Sequence, residues 1–301
     1  MRISISISTL AFAAIALVMS SCGNDENGGT KPAKYISVNT SIGSLTRTNT
    51  DDKGVQTFAN GDKISVYAWT GSADAVNADG MVVNNSVNTY DGTKWTASPQ
   101  MLWKDMSSAH FFFGVYPNKE ITNFTADAYT LDVTKQEQSD LLIAVNTGSE
   151  KAGFTATNTS VPLQFDHVMA KLIVNLTFRN QWSETPTVTS VTTGNLKSKA
   201  TVNYLAKSVT TTSEEATSIT LPVTTANTVY QSVMVPQAGE AAKIAMRIDN
   251  KDYTYTGTIQ LESGKYTTVN LIVGRDKIEL GSVSINDWGQ GTTIDGGEAL
   301  N

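Results

Sequence analysis

From Tyr35 onward the chain is a succession of short segments in which apolar and polar residues alternate. Ile36, Val38, Thr40 and Ile42 alternate with Ser37, Asn39 and Ser41, the period-two pattern of a half-buried strand. The turn residues Ala59-Asn60-Gly61-Asp62 lead into a strand over 63–69, and Asp91-Gly92 marks another turn before Lys94-Trp95-Thr96. The most apolar segment runs from Ala109 to Pro117. In strict alternation it puts Phe111, Phe113 and Val115 on one face and Phe112, Gly114 and Tyr116 on the other. Large apolar groups on both faces predict a strand covered on both sides. Leu141 to Val145 is a further strand. A second run begins near Val161, where Leu163 and Phe165 precede 167–176, which reads as one strand or as a turn and a strand. Strands over 186–192, 218–223, 230–235, 243–248, 252–261, 265–273 and 277–285 complete the pattern. In the last, Ile278 and Leu280 are out of phase with Val283 and Ile285, which predicts a bulge or a tight bend at Gly281-Ser282. Strands at intervals of about 8–15 residues with turns between them indicate β-sandwiches rather than alternating strand and helix. Two sandwiches, 35–158 and 159–301, fit the usual domain size.

The first 34 residues do not share this pattern. Arg2 is followed by an almost wholly small or apolar stretch, Ile3 to Val18, which is too short for a comfortable membrane span and has the layout of a secretory signal. The stretch ends in Val18-Met19-Ser20-Ser21-Cys22, and Cys22 is the only cysteine. This resembles a bacterial lipobox, which implies cleavage between Ser21 and Cys22 and lipidation of Cys22. Residues 1–21 are then a signal peptide and 22–34 a tether. A diacyl or triacyl anchor holds a membrane better than a single chain does.

Composition narrows the function. The 41 threonines favour strands, and charged residues are only 17% of the chain. Removing residues 1–21 takes away Arg2 alone, leaving 21 basic and 28 acidic residues and a formal charge of −7. That balance argues against nucleic acid as a partner. A single cysteine rules out an intramolecular disulfide. The chain has neither a Gly-x-Ser-x-Gly elbow nor a His-Glu-x-x-His helix, and no Gly-rich phosphate loop follows a strand. Its two histidines, His110 and His167, read as packing or turn residues rather than as a base or metal ligands, so neither enzyme activity, a metal nor a cofactor is expected. Trp69 and Trp288 read as packing residues. Trp95 and Trp103, near turns, are the candidates for stacking on a glycan.

An ordered set of segments carries a resemblance. It runs Leu45-Thr46-Arg47-Thr48, Phe58 to Val66, Lys94-Trp95, Leu102-Trp103 and Phe111 to Pro117. It continues through Gln138 to Leu142 and Leu163 to Leu172, and ends in Val283-Ser284-Ile285-Asn286-Asp287-Trp288. Following a lipoprotein signal, this set resembles the fimbrillin (FimA-like) lipoprotein pilins, also called type V pilins, over nearly the whole mature chain. The resemblance implies an all-β chain of two tandem transthyretin-like sandwiches. It also implies export as a lipoprotein, trimming after an arginine near the N-terminus, and polymerisation by strand donation. On this chain the trimming site falls at Arg47-Thr48, in a polar run of the kind proteases cut. The displaced strand carries Ile36, Val38 and Ile42. The donor is sought in Ile278, Leu280, Val283 and Ile285, with 289–301 as the alternative. The expected partners are other fimbrial subunits, the outer membrane through lipid on Cys22, and a host or glycan ligand. The expected location is the outer membrane and cell surface. The competing reading is a surface-anchored glycan-binding lipoprotein.

Overall fold

The alternation at 36–42 becomes the first of nineteen strands in the computed structural model, which describes residues 35–43, 57–158, 160–215 and 217–288. In chain order the first eight strands are β1 (Val38–Ile42), β2 (Lys63–Thr70), β3 (Met81–Tyr90), β4 (Trp95–Ser98), β5 (His110–Tyr116), β6 (Asp127–Thr130), β7 (Leu142–Asn146) and β8 (Val161–His167). Then come β9 (Ala170–Phe178), β10 (Val188–Leu196), β11 (Lys199–Asn203), β12 (Ser208–Thr211), β13 (Thr217–Thr220) and β14 (Val223–Thr225). The last five are β15 (Val229–Met234), β16 (Gln237–Ile248), β17 (Lys251–Leu261), β18 (Lys265–Val273) and β19 (Ile278–Asp287). The one α-helix among the described residues is a single turn, Gln136–Ser139. The expected all-β class is what the chain adopts.

Four sheets form. The first has seven strands in the order β1-β8-β7-β5-β2-β3-β4. A five-stranded sheet runs β14-β15-β9-β18-β19, a four-stranded one β13-β10-β16-β17, and a three-stranded one β12-β11-β6. The chain leaves the first sheet after His167, since β8 pairs with both β1 and β7, and the turn at Val168-Met169 separates it from β9. β6, from the first half of the sequence, pairs with β11 from the second.

β5 lies at the centre of the seven-stranded sheet and is buried along its whole length. Its two faces feed two cores. Phe111, Phe113 and Val115, with Tyr67 and Trp69 of β2, join a large cluster that extends through β9, β11, β15, β16 and β18. Phe112 and Tyr116, with Ile64, Val66 and Ala68, join a second cluster containing Ile36, Val38, Leu163 and Phe165. This is the two-sided strand that the alternation predicts.

The seven-stranded sheet curls until its ends meet. β1 and β4 are the first and last strands of its order, yet Trp95 Nε1 of β4 donates to Thr40 Oγ1 of β1 at 2.8 Å. Just before β1, the Ile36 N–H donates to the Met101 carbonyl at 3.0 Å and Tyr35 bridges to Leu102. The second cluster is the interior of this curl, and coiling of this kind follows from the handed twist of strands.

Candidate functional site

β1 is the seam of the curl. It pairs in parallel with β8, Val38 opposite Val161 through Ile42 opposite Phe165, and among the described residues it has no strand on its other side. Ile36 and Val38 are buried and Ile42 packs against the same cluster, while Ser37, Asn39 and Ser41 face outward. The three apolar positions named from the sequence therefore lie on one face, against one core. Parallel partners far apart in sequence need a long connection, and here almost the entire first half of the chain lies between them. Tyr35 to Gly43 is therefore not joined to its partner strand by a hairpin.

β19 holds the other four sequence-named positions. It is the edge of the five-stranded sheet and pairs antiparallel with β18 from Lys265 opposite Asp287 to Val273 opposite Ile278. The register jumps between Asn270–Ser282 and Leu271–Leu280, so Gly281 is the extra residue of a bulge, where the phase change places it. Ile278 packs against the large core. Leu280, Val283 and Ile285 are 46%, 38% and 37% exposed, although their cross-strand partners Leu271, Val269 and Thr267 are almost fully buried.

The ends of β1 and β19 meet at one cleft of ≈ 300 Å³, whose walls include Gly43, Asp166, His167, Asp287 and Trp288. His167 is buried, its Nδ1 2.9 Å from Asp140 Oδ1, and its ring stacks on Trp288 at 4.4 Å between centroids and 8° between planes. The Trp288 N–H donates to the Gly264 carbonyl, and Gly264 N–H to that of Met169. Trp288 thus pins the end of β19 to the junction of β8 and β9. Trp288 reads from the sequence as a packing residue, but Asp140 is 27 positions from His167 and nothing local announces that pair.

The other sequence candidates take structural roles. His110 is buried and accepts the Lys104 N–H at Nε2, so the proton sits on Nδ1, facing the Ser108 carbonyl at 2.8 Å. Burial pushes its pKa down, in keeping with a neutral packing residue. Trp103 is buried against His110 and Phe112, and Trp95 is half-buried among Phe58 and Tyr90 with its indole N–H spent on Thr40. Trp103 offers no open ring face to a sugar, which corrects the stacking expectation there, and Trp95 is partly enclosed in the curl. An aromatic beside a turn was also a rim position of the curled sheet, and the core claimed it.

Ser21, Cys22, Arg47, Thr48 and the segment 289–301 lie outside the described residues. Among the described residues no group of three or more His, Cys, Asp or Glu is placed to hold a metal ion. No helix there is long and apolar enough to cross a membrane.

Comparison with known proteins adds a family. The sequence profile of a fimbrillin-like family matches residues 46–288. No curated protein sequence matches the chain closely enough to count as a relative. Among solved structures, a candidate cell adhesion protein from Bacteroides ovatus superposes with a TM-score of 0.68 at 18% identity, covering 86% of this chain and 99% of that one. One from Bacteroides uniformis gives 0.65 at 18% identity, with 85% and 99% covered. A fimbrial protein from Bacteroides vulgatus gives 0.54 at 14% identity, with 84% and 99% covered. At these identities the likeness is one of fold.

Proposed function

This chain belongs to the fimbrillin-like family, and from that premise we propose that it is a structural or adhesive subunit of a surface fimbria, not an enzyme. It is exported as a lipoprotein on Cys22, trimmed after Arg47 by an Arg-specific protease, and assembled by donor-strand exchange with other fimbrial subunits. Its lipid holds it to the outer membrane before trimming.

One observation carries the reading. β1 is a terminal strand that closes the seam of a curled sheet, and Arg47 follows it by five positions. Cutting there leaves Tyr35 to Gly43 attached to the body by noncovalent contacts alone. Burying Ile36 and Val38 is worth roughly 1.5–3 kcal/mol each, with less from half-buried Ile42. Each backbone hydrogen bond to β8 adds about 0.5–1.5 kcal/mol. An emptied slot would expose that apolar face and the unpaired backbone of β8, which is a template for an incoming strand.

The donor is better sought in 289–301, with Ile294 and Leu300, than in β19. Donating Ile278, Leu280, Val283 and Ile285 would mean stripping β19 from nine paired positions on β18 and lifting Trp288 from His167. That loss weighs against any gain in a neighbour's slot.

The test uses residues 23–301 as wild type and as Arg47→Ala, both treated with an Arg-specific protease and run on size exclusion. Wild type should lose 23–47 and assemble, alone or with related subunits, while Arg47→Ala stays monomeric. Cleavage at Arg47 with no assembly in either setting would refute strand exchange. For the anchor, Cys22→Ala in the full precursor should abolish palmitate labelling, and persistent labelling would refute lipidation at Cys22.

A further inference from the structure

The far end of the five- and four-stranded sheets carries a second cleft, of ≈ 540 Å³, that neither the seam nor β19 uses. Three connections build it: the loop from β9 to β10, the two-residue Asp249-Asn250 turn from β16 to β17, and the loop from β18 to β19. Asp249 and Asn250 both have positive φ, 44° and 65°, as the tight hairpin turn matching strand twist requires. The loops meet because β9 and β18 are parallel neighbours ending together, at Phe178 opposite Val273. The size falls within the ~300–1,000 Å³ of small-ligand sites.

The cleft has a fixed floor. Ile248 and Tyr253 are buried beneath it, and half-buried Trp182 forms a wall, its indole N–H donating to the Val273 carbonyl. Arg275 crosses this wall with its guanidinium carbon 5.8 Å from the Trp182 ring centroid. The Arg275 backbone is tied on both sides. Its N–H donates to Gln181 Oε1, and its carbonyl accepts from Tyr253 Oη at 2.8 Å and Lys251 Nζ at 2.6 Å.

Fixed geometry is combined with unspent polar capacity. Among the described residues the Arg275 guanidinium makes no hydrogen bond or ion pair. Exposed Glu184 and Asp276 stand in the same cleft, and Asp276 is only 3.6 Å from Lys251 in an open contact. Five N–H donors over the Trp182 ring, with carboxylate acceptors in the same cleft, suit a ligand whose every group both donates and accepts. Vicinal hydroxyls of a sugar do this. The cleft's formal charge is −1, from Lys251 and Arg275 against Glu184, Asp249 and Asp276, which disfavours an anionic ligand.

We propose that the cleft between Trp182, Arg275 and Asp276 binds a short stretch of neutral glycan. Arg275 donates to sugar hydroxyl oxygens, and Glu184 and Asp276 accept sugar hydroxyl protons. This cleft shares no lining residue with the cleft where β1 and β19 end, so its test is separate from that of strand exchange.

Residues 23–301 are titrated calorimetrically with maltohexaose, xylohexaose and mannohexaose, and with sialyllactose as the anionic comparison. At least one neutral hexasaccharide should bind, with little dependence on salt. Arg275→Gln should weaken it roughly tenfold or more, the scale of losing a charged hydrogen-bond partner. Asp276→Asn should weaken it several-fold. Because the contacts that hold Arg275 in place come from its backbone, Arg275→Gln should keep the wild-type melting temperature, which separates lost binding from lost folding. Trp182→Ala serves as a second variant. The proposal is overturned if none of the neutral hexasaccharides binds up to about 10 mM, weaker than the millimolar end of the affinity scale. It is equally overturned if Arg275→Gln binds like wild type, or if sialyllactose binds more tightly than all three.

Discussion

Replacing Phe113 by alanine tests whether the face of β5 that looks away from the curl is core or interaction surface. Phe113 is fully buried, its ring 4.5 Å from Tyr67 and nearly parallel to it at 9°. Phe124 meets it edge-on at 5.4 Å, and Tyr204 stacks at 6.1 Å from the second half of the chain. Truncation removes the ring and leaves a cavity between rigid strands, so the cost should be ~3–5 kcal/mol. Part of this belongs to the aromatic pairs, at about 0.5–1.5 kcal/mol each beyond area burial. Urea unfolding of residues 23–301, followed by tryptophan fluorescence, reads the loss as a lower midpoint at unchanged slope. A double-mutant cycle with Tyr204→Ala should return a coupling of about 0.5–1.5 kcal/mol, because the two rings touch across sheets. Should Phe113→Ala fail to fold, Phe113→Leu should unfold earlier than wild type but still cooperatively. A loss below about 1 kcal/mol would refute the reasoning, because core deletions do not cost so little. That face would then be open to a partner.

Gly114→Ala should destabilise by about 1–3 kcal/mol in the same assay, since a Cβ there would sit 2.7 Å from the Phe165 ring and 3.4 Å from Leu163; a neutral result would mean that the curl is looser than described. Trp288→Ala should cost ~3–5 kcal/mol by removing a buried ring stacked on His167, and a melting temperature equal to wild type would refute the anchor. Burial pushes Tyr67 and Tyr129 up to about 12 and Tyr204 higher still. The unfolded phenols ionise near ~10, so the native state binds more protons above that pH. Stability should be intact below pH ~10 and fall as pH rises beyond it. Ultraviolet titration should show these three tyrosines ionising together with unfolding, and ionisation of all ten near pH 10 in a folded chain would refute their burial.

The sequence made legible whatever depends on neighbours along the chain. The alternation of Ile36, Val38 and Ile42, the two-faced strand around Phe113 and the bulge at Gly281 are period-two facts, and each appears in the structure where the period puts it. Membership of sheets was not legible. Val161–His167 follows a polar stretch that reads as a break, yet its partners are β1 and β7, because pairing is set by long-range burial rather than by spacing. β3, β6, β11 and β12 were missed: Asn84, Asn85 and Asn88 interrupt the apolar pattern of β3, and β6, β11 and β12 are only four or five residues long, too short for alternation such as that of Ala200 and Val202 to stand out. The tryptophans show the same limit. Trp95 and Trp103 sit by turns and are held in the curl, while Trp182, in a polar loop, forms part of an open cleft. Whether an aromatic beside a turn faces in or out depends on which strands close over it.

The division into two cores bears on how the proposed trimming would leave the body of the subunit folded. Ile36 and Val38 belong to the cluster inside the curl, and none of β1's side chains is part of the larger cluster. That larger cluster draws on both halves of the chain and is cross-linked by β6 pairing with β11 and by the Tyr67–Phe113–Tyr204 stack. Removing the seam therefore costs contacts in one core only, at the rim of a sheet whose central strands β7, β5 and β2 remain paired on both sides. The energy needed to hold the body together and the energy exposed by trimming reside in different places. A chain with a single core would face a conflict. A strand worth enough to drive assembly when replaced would also be worth enough to unfold the body when lost, given total stabilities of only ~5–15 kcal/mol. Here β5 separates the two demands, giving Phe112 and Tyr116 to the core that the proposed trimming would open and Phe111, Phe113 and Val115 to the one it would leave intact.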